Sequence, residues 1–187
     1  MHHSMRLYSR YRESALKFYI FMARWTKIPL IGRLVRWVAN LYGKKGSAAY
    51  LLTLDEAEEI VDISEGLALG PCDCRAVFRN CDNPINNTEI MVGLSRNVFI
   101  EERPHDYREI TKQEAKDVLR QCHQRGLIPT IVKCRQDFYA ICNCCSCCCV
   151  PLRLSKEYGI GNALAKSDDI VREFEQRQLL HEGPKVT

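Results

Sequence analysis

The sequence predicts a small mixed α/β domain, with α+β as the alternative, that carries two cysteine-rich loops and an N-terminal amphipathic helical arm. Three observations lead there. Capped helices alternate with short apolar runs over residues 48–141, six of the eleven cysteines fall within residues 142–149, and charge is divided unevenly along the chain. Residues 1–45 hold ten Lys or Arg against Glu13 alone, a charge of +9, whereas the remaining residues sum to −5. Two units follow: a basic amphipathic helical arm over 1–46, and a cysteine-bearing domain with a C-terminal helical tail over 47–187. A composition of 46% hydrophobic and 27% charged residues is that of a globular chain.

Within the arm, apolar residues recur at helical spacing from Leu7 through Trp25 and again from Leu30 through Leu41, with Arg and Lys interleaved. This predicts two amphipathic helices divided near Pro29 and ended by Gly43-Lys44-Lys45-Gly46. The longest charge-free run, Phe18 to Ala23, is far short of the ~20 apolar residues a membrane span needs. A basic, aromatic-rich helix of this kind lies on an anionic membrane surface or docks on an acidic partner; the plainer alternative is that its apolar stripe packs on the rest of the chain.

In the second unit, Ala48 to Leu52 reads as a strand, and Thr53-Leu54-Asp55-Glu56 as a capping box opening a helix to about Ser64. Thr111-Lys112-Gln113-Glu114 repeats the signature before a helix that Gly126 terminates. Each helix is followed by Gly-Leu and an apolar run, Gly66-Leu67-Ala68-Leu69 toward Cys72 and Gly126-Leu127-Ile128 toward Cys142, a weak internal echo that predicts two similar platforms. Asn97 to Glu101 reads as a further strand, residues 165–182 as a polar helix or tail, and Gly183-Pro184 as the start of a loose end.

The cysteines carry the chemistry. Cys142, Cys144, Cys145, Cys147, Cys148 and Cys149 crowd one segment, behind an upstream group of Cys72, Cys74 and Cys81. Neighbouring cysteines rarely bridge each other without strain, so a metal site accounts for them better than disulfides. All nine are candidate ligands. They suit two 4Fe–4S clusters with one thiol over, or one cluster and a different metal. Zinc is the structural alternative, although its paired cysteines are usually separated by two to four residues. Cys122 and Cys134 stand apart and read as small buried hydrophobes, Cys134 being the better spare ligand. No secretory signal is visible, and the expected place is the cytoplasm, with peripheral contact at the inner face of the membrane through residues 6–42.

The run Phe138-Tyr139-Ala140-Ile141-Cys142-Asn143-Cys144-Cys145-Ser146-Cys147-Cys148-Cys149-Val150-Pro151-Leu152-Arg153, with Gly70-Pro71-Cys72-Asp73-Cys74-Arg75, resembles the bacterial and archaeal proteins known as 4Fe–4S ferredoxins or 4Fe–4S-binding proteins, over roughly residues 48–170. The resemblance implies iron–sulfur binding and anaerobic electron transfer beside larger redox enzymes, and no particular substrate. Three departures stand out: Thr88 occupies a position where relatives commonly have cysteine, Gly126-Leu127-Ile128-Pro129 replaces Gly-Leu-Val-His, and no module with Cys-x-x-Cys-x-x-Cys spacing follows. A single-module subunit handing electrons to a separate protein is therefore expected.

Three functions compete. The first is a non-catalytic electron-transfer subunit serving a larger redox enzyme or another electron carrier. The second is an enzyme component in which Thr88 leaves an iron open to a ligand. The third is a zinc-stabilised module whose basic arm meets nucleic acid, a partner that the arm's aromatic apolar side suits poorly. No Ser/His/Asp set or paired carboxylates stand out, so no catalytic residue is assigned. Gly159-Ile160-Gly161-Asn162 lacks the strand and acidic residue of a dinucleotide loop, and His105 and His123 read as exposed.

Overall fold

A computed structural model describes residues 2–45, 47–134 and 137–182. The sequence expectation for Gly183-Pro184 lies outside them. Eight α-helices and seven strands follow in chain order: α1 (His2–Arg24), α2 (Gly32–Lys45), β1 (Ser47–Leu51), α3 (Leu54–Ile63), β2 (Leu67–Gly70), α4 (Asp73–Phe78), β3 (Glu89–Val92), α5 (Leu94–Glu102), β4 (Arg108–Ile110), α6 (Lys112–Gln124), β5 (Ile128–Cys134), β6 (Asp137–Cys144), α7 (Val150–Tyr158), β7 (Leu164–Ala165) and α8 (Ile170–Glu182). The fold is mixed α/β, as the sequence predicts.

One sheet runs β4-β2-β3-β6-β5-β1-β7, antiparallel throughout except where β1 meets β7. The six strands from β4 to β1 in this order have an internal symmetry. The segment β1-α3-β2-β3 is echoed by β4-α6-β5-β6; β3 and β6 pair at the centre, and each repeat's first strand lies outside the other repeat's third element. The two Thr-capped helices of the sequence are α3 and α6. Thr53 accepts from the Glu56 amide at 3.2 Å while Glu56 reaches back to the Thr53 amide at 2.7 Å, and Thr111 accepts from the Glu114 amide at 3.1 Å. Gly126, at φ +74, takes the left-handed position that ends α6.

Strands buried on both faces read as continuous apolar runs, and alternation assigns each residue a side except at a β-bulge in β6, where Val132 pairs with Ala140 and Lys133 with Phe138, so that Tyr139 shares the face of Ala140. Leu67, Leu69, Ile90, Val92, Ile131 and Ile141 pack under α3, α6 and α8, while Ala68, Met91, Val132, Tyr139 and Ala140 pack on the opposite face with Phe99 of α5 and Tyr8 of α1. One expectation needs correction. Asn97 to Glu101 is the second half of helix α5, not a strand: Gly93 at φ +59 breaks the chain direction, and Ser95 donates to both the Val92 and Tyr139 carbonyls at 2.6 Å, fixing a first turn. Within residues 165–182, Ile170–Glu182 form the expected polar helix, α8, which also buries Ile170 and Phe174 in the main core.

Helix α1 packs on this module through Leu16, Ile20 and Ala23, and through Arg12, whose guanidinium is buried. Arg12 forms a bidentate ion pair with Glu89 at the start of β3, with one bond at 2.6 Å, and reaches Asp73 of α4 at 3.2 Å. Tyr107 donates to Glu89 at 3.0 Å, and Arg103 holds Asp73 from the other side at 2.8 Å and 3.0 Å. Two buried carboxylates are thus matched by two guanidinium groups, which such burial requires.

Candidate metal centre

The sheet register explains why separate cysteine segments meet. Gly70 pairs with Glu89, Glu89 with Cys142, Cys142 with Thr130, and Cys144 with Ile128. The end of β2, the start of β3, the end of β6 and the start of β5 therefore form one rim. The upstream cysteines leave β2 at this rim and the downstream cysteines leave β6 there. In the symmetric repeats these loops are not equivalent: one joins β2 to β3, whereas the other follows β6. The sequence echo extends to the platforms and not to the loops.

On β6, Cys142 and Cys144 stand two residues apart and so project to the same side of the sheet, the side of α1. The strand ends at Cys144, and Cys145 turns away. That change of direction divides the nine thiols into two groups. Cys81, Cys145, Cys147 and Cys148 form the first, with all four sulfurs within 4.8 Å of one another. The Cys81 sulfur is 3.8 Å from those of Cys145 and Cys148. The Asn80 amide donates to Cys148 at 3.3 Å, and Asn83 Nδ2 donates to Cys81 at 3.5 Å. Burial opposes ionisation of Cys81, yet hydrogen bonds from the Cys147 thiol and Asn83 hold its pKa down to about 6. Burial pushes Cys148 up to about 11. A poised thiolate among reluctant neighbours is the starting condition for a cation site.

The second group is looser. Cys144 and Cys149 lie 3.1 Å apart, and the thiols of Cys142 and Cys144, and of Cys72 and Cys74, are near enough to shift each other's ionisation. Cys149 is the N-cap of α7, with no side-chain capping hydrogen bond. A hydrogen bond from Cys74 holds Cys72 down to about 7. Thr130 Oγ1 is 3.0 Å from Cys144 Sγ, and Cys142 donates to Glu89 at 3.0 Å. Its bond to Cys144, burial and the facing Glu89 push the Cys142 thiol well up.

Arg75 stands between the groups. Its side chain is buried, Nη1 donates to the Asn143 carbonyl at 2.8 Å, Nη2 donates to Thr88 Oγ1 at 2.7 Å, and its charge faces Cys72, Cys145 and Cys144. Arg75 Nε is buried without a protein acceptor. A spare donor beside clustered thiols suits an anionic metal–thiolate centre. Thr88 is a lock between these segments. Its hydroxyl donates to the Ile85 carbonyl at 3.0 Å, and its own carbonyl accepts from Asn143 Nδ2 at 3.0 Å.

All nine candidate cysteines lie at this rim and none is in a disulfide. Cys122 is closer than its sequence position suggests, since it packs with Leu127 against Cys145 and Cys148, but it is not among the four thiols of the compact group. His105 and His123 are exposed. Gly159 is the left-handed cap of α7, and Asn162 bonds Asn40 of α2, so that segment is a fastener. Sequence reasoning missed Arg12, Glu89 and the bridging place of Arg75. A lone arginine in the stripe Ser9, Arg12, Leu16, Ile20, and a glutamate opening the apolar run Ile90-Met91-Val92, were the available signals.

The compact group can hold a metal ion. A comparison with protein-family models, curated proteins and solved structures finds no match to this chain. Among the described residues, no helix is long and apolar enough to cross a membrane.

Proposed function

We propose that this is an iron–sulfur electron-transfer protein with two adjacent thiolate centres, one on Cys81, Cys145, Cys147 and Cys148 and the other on Cys72, Cys74, Cys144 and Cys149. The observation that carries the reading is that the consecutive residues Cys144 and Cys145 belong to different groups. Two redox centres sharing one peptide bond are close enough for exchange between them, whereas two purely structural ions have no need of such proximity. Iron–sulfur groups held there would supply reversible one-electron chemistry at potentials set by hydrogen bonds, charge and exposure, and the four sulfurs of the first group, within 4.8 Å of one another, would have to move apart to span a four-iron cluster. The chain's own residues set those terms: the Asn80 amide donates to sulfur, Arg75 offsets thiolate charge, and α1 packs beside Cys74 of the second group. Cys81 and Cys147 are partly exposed and face outward, toward a larger redox enzyme or another carrier in the cytoplasm. Cys142 is the thiol left over, because it donates to Glu89 and is held protonated.

One observation favours a second reading. A tetrahedral ion with metal–sulfur bonds of about 2.3 Å has sulfur–sulfur edges of about 3.8 Å, which matches the Cys81 contacts at 3.8 Å. On that reading the compact group holds zinc and only the looser group holds iron. Single substitutions separate the two. With two iron–sulfur centres, Cys147→Ser and Cys74→Ser each remove about half the iron; if Cys147→Ser removes one zinc and no iron, the first group is a zinc site.

A further inference from the structure

The hairpin of α1 and α2 has a surface that the thiol chemistry does not use. Helix α1 carries two stripes. Leu16, Ile20 and Ala23 are buried against the module, and on the opposite side Phe18 and Phe21, with Tyr11 two turns before them and Trp25 just past the end of the helix, are exposed. Helix α2 repeats the pattern with Leu34, Trp37 and Leu41 outward. Between them the turn projects Ile28 and Leu30, the latter 98% exposed.

That turn is built rather than loose. Leu30 stands at φ +75, a left-handed conformation that L-residues avoid. It is held by the Ile31 amide on the Pro29 carbonyl and the Gly32 amide on the Ile28 carbonyl, both at 3.0 Å, and by Arg36 Nη1 on the Thr26 carbonyl at 2.8 Å. A Cβ on Gly32 would collide with the Thr26 carbonyl. The structure thus fixes a large aliphatic side chain in solvent at the tip of a hairpin.

Charge selects the occupant. No acidic residue occurs between Glu13 and Asp55, a stretch with seven Lys or Arg. Lys17, Arg24 and Arg33 are exposed beside the apolar stripes, and among the described residues none of the three has an ion-pair partner. A second copy would bring the same positive rim against itself. An apolar, tryptophan-bearing projection ringed by cations matches the acyl–headgroup boundary of an anionic bilayer, where aromatic rings and basic side chains both find their partners. We propose that this hairpin seats the protein in the plane of an anionic lipid surface, with the Leu30 turn inserted and the thiol groups left outside.

The test is flotation of the full chain with vesicles of phosphatidylcholine alone and of phosphatidylcholine with about one-third phosphatidylserine. The expected result is binding to the anionic vesicles, weakened but not abolished when salt rises from about 0.1 to 0.5 M. Leu30→Asp with Trp37→Glu should weaken it by about tenfold or more. Both residues are exposed, so circular dichroism should be unchanged. Lys17→Gln with Arg33→Gln should remove the preference for anionic lipid while keeping the fold. Equal binding by the apolar variant, or no binding by the parent chain, overturns the proposal. So does a stable dimer that fails to bind vesicles and dissociates on Leu30→Asp, because the face would then be an interface between copies. Metal content measured on the same sample is a separate readout, so this proposal and the thiol reading can fail independently.

Discussion

Arg75 and Asn143 join the two cysteine segments: the buried guanidinium of Arg75 donates to the main-chain carbonyl of Asn143 at 2.8 Å, one residue from both Cys142 and Cys144. With its second donor on Thr88, Arg75 ties α4, the approach to β3 and the end of β6 into one rim. Arg75→Met leaves the Asn143 carbonyl and Thr88 hydroxyl without this donor and should destabilise the protein by about 3 kcal/mol, read by urea denaturation. A loss below about 0.5 kcal/mol would show that the rim is held by something else.

Arg12 should matter as much, although it lies sixty residues before the first cysteine. Arg12→Met leaves Glu89 and Asp73 buried with part of their positive charge removed, a change expected to cost about 3–5 kcal/mol. Thermal denaturation with metal content measured in parallel checks this, since loss of the fold and loss of the metal should occur together. Removal of α1 strips out the same guanidinium, so it should unfold the module rather than merely release it.

Cys122 tests the boundary of the first group. It packs on Cys145 and Cys148 without joining the compact set, so Cys122→Ala should leave metal content unchanged while Cys145→Ser lowers it. Loss of metal from Cys122→Ala, with the circular dichroism spectrum intact, would place a fifth thiol in the centre.

Acid should act through Cys81. In metal-free protein its pKa of about 6 lies below that of an ordinary thiol, so alkylation by iodoacetamide should rise through pH 6 at Cys81 well before Cys148, which is held near 11. The sign for stability follows: a depressed folded-state pKa contributes stability that is fully present above the unfolded thiol value of ~8.5 and is lost as pH falls through about 6. Peptide mapping after timed alkylation measures it, and equal rates at both thiols would contradict the arrangement.

Local signals were legible in the sequence because their causes are local. The break near Pro29, the Thr53/Glu56 capping box and the Gly126 terminus each depend on residues within a turn of one another. The apolar stretch Val98-Phe99-Ile100 misled because helix and strand are distinguished there by Gly93 and by the reach of Ser95 to Tyr139, 44 residues away. All nine thiols were visible, but their division was not. It depends on which face of β6 each residue takes and on the strand ending at Cys144 rather than a residue later. Arg12 was hidden among the arm's ten cations because only the packing of α1 on β3 sets it apart.

The central claim, two adjacent iron–sulfur centres on one rim, is tested most directly by iron, acid-labile sulfide and zinc analysis of protein purified without oxygen. The expected result is a brown protein with about eight irons and eight sulfides per chain and no zinc. A colourless protein with stoichiometric zinc and no sulfide would contradict it.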